Sequence, residues 1–193
     1  MQLSRLISIL VTSAAFTALF SGCSGNECYE NHSALPLAYF YNSATMQQVT
    51  LQQLEIYGKK KGERNNIGDK IAEESLTWIG TPYKYGHSEK GVATDCSGMV
   101  IVLYDEIAEI KLPRNSAEQA EFCDKLKEKD IKPGDLVFFA TGRDKKKISH
   151  VGVMIDDCKF VHASASKGVI LSEMTTPYYQ RTFIKYGRVP GMK

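Results

Sequence analysis

One cysteine and two histidines in this chain stand in settings that suit nucleophilic catalysis. Cys96 lies in Thr94-Asp95-Cys96-Ser97-Gly98, directly before an apolar run. His150 opens Ser149-His150-Val151-Gly152-Val153, and His162 lies in Phe160-Val161-His162-Ala163-Ser164. A cysteine at a helix entry sits beside unpaired backbone N–H groups and the positive end of the helix dipole, which lowers a thiol pKa. An inert cysteine packed as a small apolar residue is the ordinary alternative, but a polar, glycine-flanked entry is a poor place to hide one. A neutral imidazole near the thiol could take its proton and later return it to a leaving amine. Alternation along the strand puts His150, Gly152 and Met154 on one face. A turn at Asp156-Asp157 then brings His162 onto the neighbouring strand, nearly opposite His150, where it could orient the base. Two histidines could instead ligate a metal, but no third ligand stands at a characteristic spacing, so no metal and no cofactor are expected. His87 sits in a polar loop as a competing base, and His32 has no assigned role.

The elements that must position these residues follow from periodicity. Asp69 to Trp78 reads as an amphipathic helix ended by Gly80-Thr81-Pro82. Residues 96–108 are apolar on nearly every face and read as a buried central helix. Ser116 with Gln119 fits a capping box for a helix over about 116–126. Beyond Lys132-Pro133-Gly134-Asp135 the period changes. Leu136–Ala140, Ile148–Ile155, Lys159–Ser164, Gly168–Ser172 and Phe183–Val189 read as strands. Helices first and strands afterwards predict an α+β domain with an antiparallel sheet of about five strands.

The chain has 193 residues, 43% hydrophobic and 24% charged, with a net charge of +2. That fits one ordinary domain plus an extension, and gives no electrostatic reason to expect nucleic acid. Lys59-Lys60-Lys61 and Lys145-Lys146-Lys147 are short enough to read as solvated loops. The first 22 residues read as an export signal. Arg5 precedes an apolar stretch from Leu6 to Phe20, and Ser21-Gly22-Cys23 resembles a lipobox in which Cys23 becomes the lipidated N-terminus. Phe20 departs from the usual lipobox leucine. Residues 23–65 read as a tether, and 66–193 as the catalytic domain. Among the five cysteines no C-x-x-C pair suggests zinc. Export permits disulfides, so Cys123–Cys158 is a candidate pair.

Read in order, the motifs resemble the NlpC/P60 cysteine peptidases from about Ile67 to Pro190. Gly80-Thr81-Pro82-Tyr83-Lys84-Tyr85-Gly86 looks like the opening motif of that family. Asp95-Cys96-Ser97-Gly98 looks like its nucleophile motif. Leu112-Pro113-Arg114, Pro133-Gly134-Asp135-Leu136, His150-Val151-Gly152 and the His162 segment follow. The likeness extends to Spr-type lipoprotein murein endopeptidases. The resemblance implies a papain-like fold with Cys96 as nucleophile, His150 as base and His162 as the third member. It implies Tyr85 near the oxyanion or substrate, and Asp95 and Ser97 lining the substrate pocket. His87 replaces a glycine common in relatives. The implied partner is peptidoglycan, cut at the D-alanyl–diaminopimelate crosslink or, alternatively, at the γ-D-glutamyl–diaminopimelate bond. A non-catalytic wall-binding lipoprotein is the rival reading. The implied setting is a monomer, lipid-anchored through Cys23 at the periplasmic face, on the outer membrane.

Overall fold

The computed structural model describes residues 66–192. The signal segment, the lipidation cysteine Cys23 and the 23–65 tether all lie outside the described residues. Chain order is α1 (Ile67–Leu76), β1 (Ser88–Glu89), β2 (Ala93–Thr94), α2 (Cys96–Ala108), α3 (Ser116–Phe122) and β3 (Asp124–Leu126). A 3-10 turn (Glu128–Asp130) follows, then β4 (Leu136–Phe139), β5 (His150–Met154), β6 (Lys159–Ser164), β7 (Gly168–Glu173), α4 (Pro177–Thr182) and β8 (Phe183–Arg188). The α+β class and the antiparallel sheet therefore stand as expected.

The main sheet has six strands in the order β3-β8-β4-β5-β6-β7, every pair antiparallel. The strand beyond the expected set is β3. Residues 124–126 pair with β8 instead of extending the helix, which stops at Phe122. That helix carries no lysine or arginine in its last turn. Lys185 of β8 instead donates to the carbonyl of Ala120 at 2.7 Å, satisfying an acceptor the helix leaves open.

Alternation gives the sheet two apolar faces. Leu136, Phe138, Val151, Val153, Val161, Ala163 and Val169 pack with Ile71, Leu76, Met99, Val100 and Leu103 of α1 and α2. Val137, Phe139, Met154, Phe160 and Tyr186 form a smaller cluster on the other face, with Tyr179 and Phe183 against it. Helix α2 is apolar nearly all round because it is sunk in the first of these clusters. Tyr104 anchors its far half, donating its hydroxyl hydrogen to the carbonyl of Gly134. Asp135, next in the chain, is fully buried and takes both Nε and Nη2 of Arg188 at 2.7 Å, which ties the start of β4 to β8.

Cys123 is a buried free thiol, so the Cys123–Cys158 pair does not form. Cys158 is itself disulfide-bonded. Burial pushes the Cys123 thiol up to about 12, which leaves it inert.

Candidate active site

Cys96 is the first residue of α2, and Asp95 is its cap. Asp95 accepts from the Gly98 N–H at 2.7 Å, the bond that ends an exposed-donor problem at this helix start. The same carboxylate takes the Gly86 N–H at 2.7 Å and both terminal nitrogens of Arg114, at 3.1 and 2.7 Å. Burial pushes Asp95 up, but Arg114 and the two backbone N–H groups outweigh it and hold the carboxyl below its ordinary value. Ser97 donates to Asp95 at 3.2 Å and accepts from Arg114 at 2.9 Å. The polar entry to the helix is thus a closed network held by Arg114. Sequence reasoning gave that residue no role; its signal is a lone arginine after a Leu-Pro break. Gly98 has no room for a side chain, since a Cβ there would run into the His87 carbonyl.

The thiol departs from expectation in one respect. Its place at the helix start is as foreseen, and backbone N–H groups of Val151, Ser97 and Cys96 itself favour the thiolate. Burial is the larger effect, however, and Cys96 ends above its ordinary value. Helix-start N–H groups do not compensate the burial of a residue that is only 8% exposed. The resting Cys96 side chain is a neutral thiol.

The two candidate histidines come from the sheet. Val151, whose N–H faces the sulfur, is the residue after His150. His150 Nε2 lies 2.8 Å from His162 Nδ1, and the rings meet edge-on at 4.9 Å. The β5–β6 register pairs Val153 with Val161 and Met154 with Phe160. Continued by one residue, it puts Gly152 opposite His162, so the histidines are diagonal neighbours instead of directly opposed. That diagonal depends on Gly152. A Cβ there would stand 2.7 Å from the Phe160 ring and 3.3 Å from the His162 Cβ. Burial lowers His150 to about 4, and burial together with the charge of His150 lowers His162 further, so both rings are neutral near pH 7. No other hydrogen bond engages His150 among the described residues, which leaves Nδ1 as the nitrogen to receive a proton.

His162 is nearly enclosed, and its Nε2 meets Tyr179 Oη at 2.9 Å and Ser172 Oγ at 3.0 Å. Phe139 and Phe160 pack against this group. Sequence reasoning missed both hydroxyls. Tyr179 sits on α4, a six-residue helix whose one signal is Pro177 at its first position.

A cleft of about 330 Å³ opens over the sulfur, lined by Cys96, Asp95, Ser97, Tyr83 and Tyr85 on one side and Lys147 to Ser149 on another. Asp95 and Ser97 stand on the cleft as expected. Tyr85 also borders the cleft, 85% exposed at its rim, and the Tyr83 phenol beside it feels the thiol, raised first by burial and then by Cys96. Tyr83 packs on the main core, which is what turns it inward. His87 is not on the cleft; its Nδ1 lies 3.3 Å from the Tyr85 carbonyl. Lys147, read as part of a solvated loop, borders the cleft with no ion pair on its ammonium among the described residues. No group of three His, Cys, Asp or Glu side chains among them is arranged to hold a metal ion.

Comparison with known proteins matches residues 80–188 to the NlpC/P60 family. A protein of Haemophilus influenzae described as a probable endopeptidase is 39% identical over 120 residues, 62% of this chain and 73% of that one. A protein of Escherichia coli strain K12, murein DD-endopeptidase MepS/murein LD-carboxypeptidase, is 32% identical over 180 residues, 93% of this chain and 90% of its own. Among solved structures, NlpC2 from Trichomonas vaginalis superposes with a TM-score of 0.59 at 27% identity over 67% of this chain; the chain spans 50% of that protein's length. The chain belongs to the NlpC/P60 family.

Proposed function

We propose that this NlpC/P60 protein is a cell-wall cysteine endopeptidase that hydrolyses peptide bonds in peptidoglycan stem peptides. The observation that carries the reading is Cys96 at the start of α2 on an open cleft, with the N–H of Val151, the residue after His150, directed at its sulfur and His150 paired to His162. Cys96 is the nucleophile, His150 the general base and His162 the residue that orients it. The thiol proton passes to His150 Nδ1 as sulfur attacks the scissile carbonyl. The oxyanion forms beside the Cys96 backbone N–H and the Tyr83 phenol. Collapse of the intermediate breaks the C–N bond, and His150 returns its proton to the departing amine. Water, giving a proton to the same nitrogen, then hydrolyses the thioester to the free acid and thiol.

The crosslink between D-alanine and diaminopimelate is the bond this reading favours. Its support is the Escherichia coli relative named as a murein DD-endopeptidase, whose similarity spans 93% of the chain. Stem peptides carry free carboxylates, and Lys147 gives the cleft a cation with which to hold one. The same reading makes residues 1–22 a lipoprotein signal, 23–65 a tether and 66–193 the catalytic domain. It anchors a monomer through lipid on Cys23 at the periplasmic face of the outer membrane. No helix among the described residues is long and apolar enough to cross a membrane.

The test is digestion of purified sacculi by the reduced protein beside Cys96→Ala, with muropeptides identified by mass spectrometry. Crosslinked dimers converted to monomers with intact tetrapeptides are the expected result. Fragments ending at D-glutamate would move the cleavage to the γ-D-glutamyl–diaminopimelate bond. No Cys96-dependent product, with binding to sacculi retained, would make it a non-catalytic wall-binding protein. Incorporation of labelled palmitate that vanishes in Cys23→Ala is the expected sign of the anchor.

A further inference from the structure

Cys158 is disulfide-bonded, whereas Cys96 and Cys123 are free thiols. The other two cysteines of the chain are Cys23 and Cys28. The bond from Cys158 therefore runs out of the domain into the segment that precedes it. With Cys23 lipidated, its sulfur is a thioether and cannot also enter a disulfide, which leaves Cys28. We propose that Cys158 is joined to Cys28, so that the segment leading from the lipid is stapled to the β5–β6 turn. The choice of Cys28 rests on the reading of Cys23 as the lipidated residue.

The place of Cys158 suits such a staple. It lies in the turn between β5 and β6 and is partly exposed, unlike the two buried free thiols. Asp156 Oδ1 accepts from the N–H groups of Cys158 and Lys159 at 2.8 and 2.7 Å, and the Cys158 carbonyl accepts from the Met174 N–H at 2.8 Å. A turn held at these points presents its sulfur in a fixed position. The turn also stands at the end of the sheet where the chain enters the domain. The Gly134 N–H donates to the carbonyl of Met154, the last residue of β5, at 2.8 Å. A Cβ on Gly134 would stand 2.6 Å from the Cα of Gly68 in α1, the helix that Asn66 caps. His150 is at the other end of β5. At about 3.3 Å per residue that is about 13 Å along the strand, so the staple keeps clear of the cleft.

The bond forms when the two thiols lose two protons and two electrons to a disulfide oxidant of the exported compartment, whose own disulfide becomes a dithiol. Cys96 and Cys123, at 8% and 6% exposed, are left without a partner. The consequence is one of reach. Cys28 is five residues past Cys23, a span of at most about 18 Å. Along the backbone alone, Asn66 is 43 residues past Cys23, a span of up to about 150 Å. The staple replaces the long connection to the anchor by the short one, and reduction restores the long one.

The test takes the full-length chain from membranes with its free thiols blocked. It is cleaved without reductant by trypsin and a glutamate-specific protease. Cleavage after Glu27 parts Cys23 from Cys28, and cleavage after Lys147 and Lys159 isolates residues 148–159 with Cys158. Mass spectrometry should find residues 28–30 linked to 148–159, and reductant should separate them. Cys28 and Cys158 both recovered as blocked free thiols overturn the proposal and leave the peptidase and lipoprotein readings standing. A Cys23–Cys158 link overturns the staple and the lipid anchor together. Reach is read with the protein held in vesicles of phosphatidylethanolamine and phosphatidylglycerol. Cys28→Ser combined with Cys158→Ser should raise hydrolysis of sacculi several-fold and leave that of soluble crosslinked dimers unchanged. Equal rates on sacculi overturn the effect on reach. The peptide map needs no turnover, so absence of hydrolysis in the wild type would overturn the proposed function and leave the staple to be judged on its own.

Discussion

The helical and sheet walls of the site are built by opposite means. On the helical wall, Asp95, Arg114 and Ser97 surround the Cys96 turn with charge and with charge-assisted hydrogen bonds. On the sheet wall, His150, His162, Ser172 and Tyr179 are joined by neutral hydrogen bonds inside aromatic packing. The charged wall has few internal degrees of freedom, since a carboxylate accepts and a guanidinium donates. The neutral wall can pass a proton because each member can both give and take one. In the proposed mechanism one wall holds the Cys96 sulfur still, and the other moves its proton.

Substitutions should separate these roles. The largest effect is expected on the sheet wall. His150→Ala should cut turnover by about a thousandfold or more with the fold intact, checked by dimer hydrolysis and circular dichroism. Next comes the helical wall. Arg114→Ala leaves the buried Asp95 carboxylate short of two hydrogen bonds. The pair is half-exposed on the arginine side, so the loss is discounted to about 1–2 kcal/mol, read by urea unfolding. If Arg114→Ala instead removed turnover at full stability, the division between the walls would fail.

Titration sharpens the comparison. His150 is lowered to about 4 by burial, against an ordinary value of 6.5. The unfolded chain therefore binds the extra proton first, and stability falls as pH drops from about 6.5 toward 4. The change is on the order of 3 kcal/mol. Thermal melts from pH 7 to pH 4.5 should show it, and His150→Gln should flatten the slope. Asp95, lowered by Arg114 and backbone N–H groups against its burial, contributes stability that is lost only in stronger acid. Alkylation of Cys96 by iodoacetamide should accelerate as pH rises above 7, because the resting thiol is neutral. A rate already flat from pH 5 would mean a standing thiolate–imidazolium pair. The smallest effect belongs to Lys147. Lys147→Ala should raise KM by a few-fold with kcat preserved, and the difference should shrink in high salt.

Much of this was legible in the sequence because local pattern and final environment agree. Residues 96–108 are apolar on all sides and do form a buried helix. The alternation around His150 and His162 places both on one sheet face, as the strand period requires. What escaped detection depends on contacts distant in the chain. Residues 124–126 look helical in continuation but pair with β8, more than 50 residues later, as Asp124 with Arg188 shows. Tyr83 and Tyr85 differ by two positions in one motif, and only packing on the core decides which is held inward and which stands exposed at the rim. Lys147 reads as solvent-facing from composition, yet its loop returns beside the cleft. The thiol's upward shift was equally invisible, since helix position is local and burial is not.

Gly152 gives the fold a genetic consequence. It carries no reactive atom, yet the diagonal approach of two histidines exists only because it has no side chain. A single added methyl would leave all three chemical groups, both walls and the strand order encoded, and would press instead on Phe160. Alleles at this codon should therefore behave conditionally, tolerated in the cold and failing as heat amplifies the strain. In a sequence survey such an allele would pass for an intact enzyme.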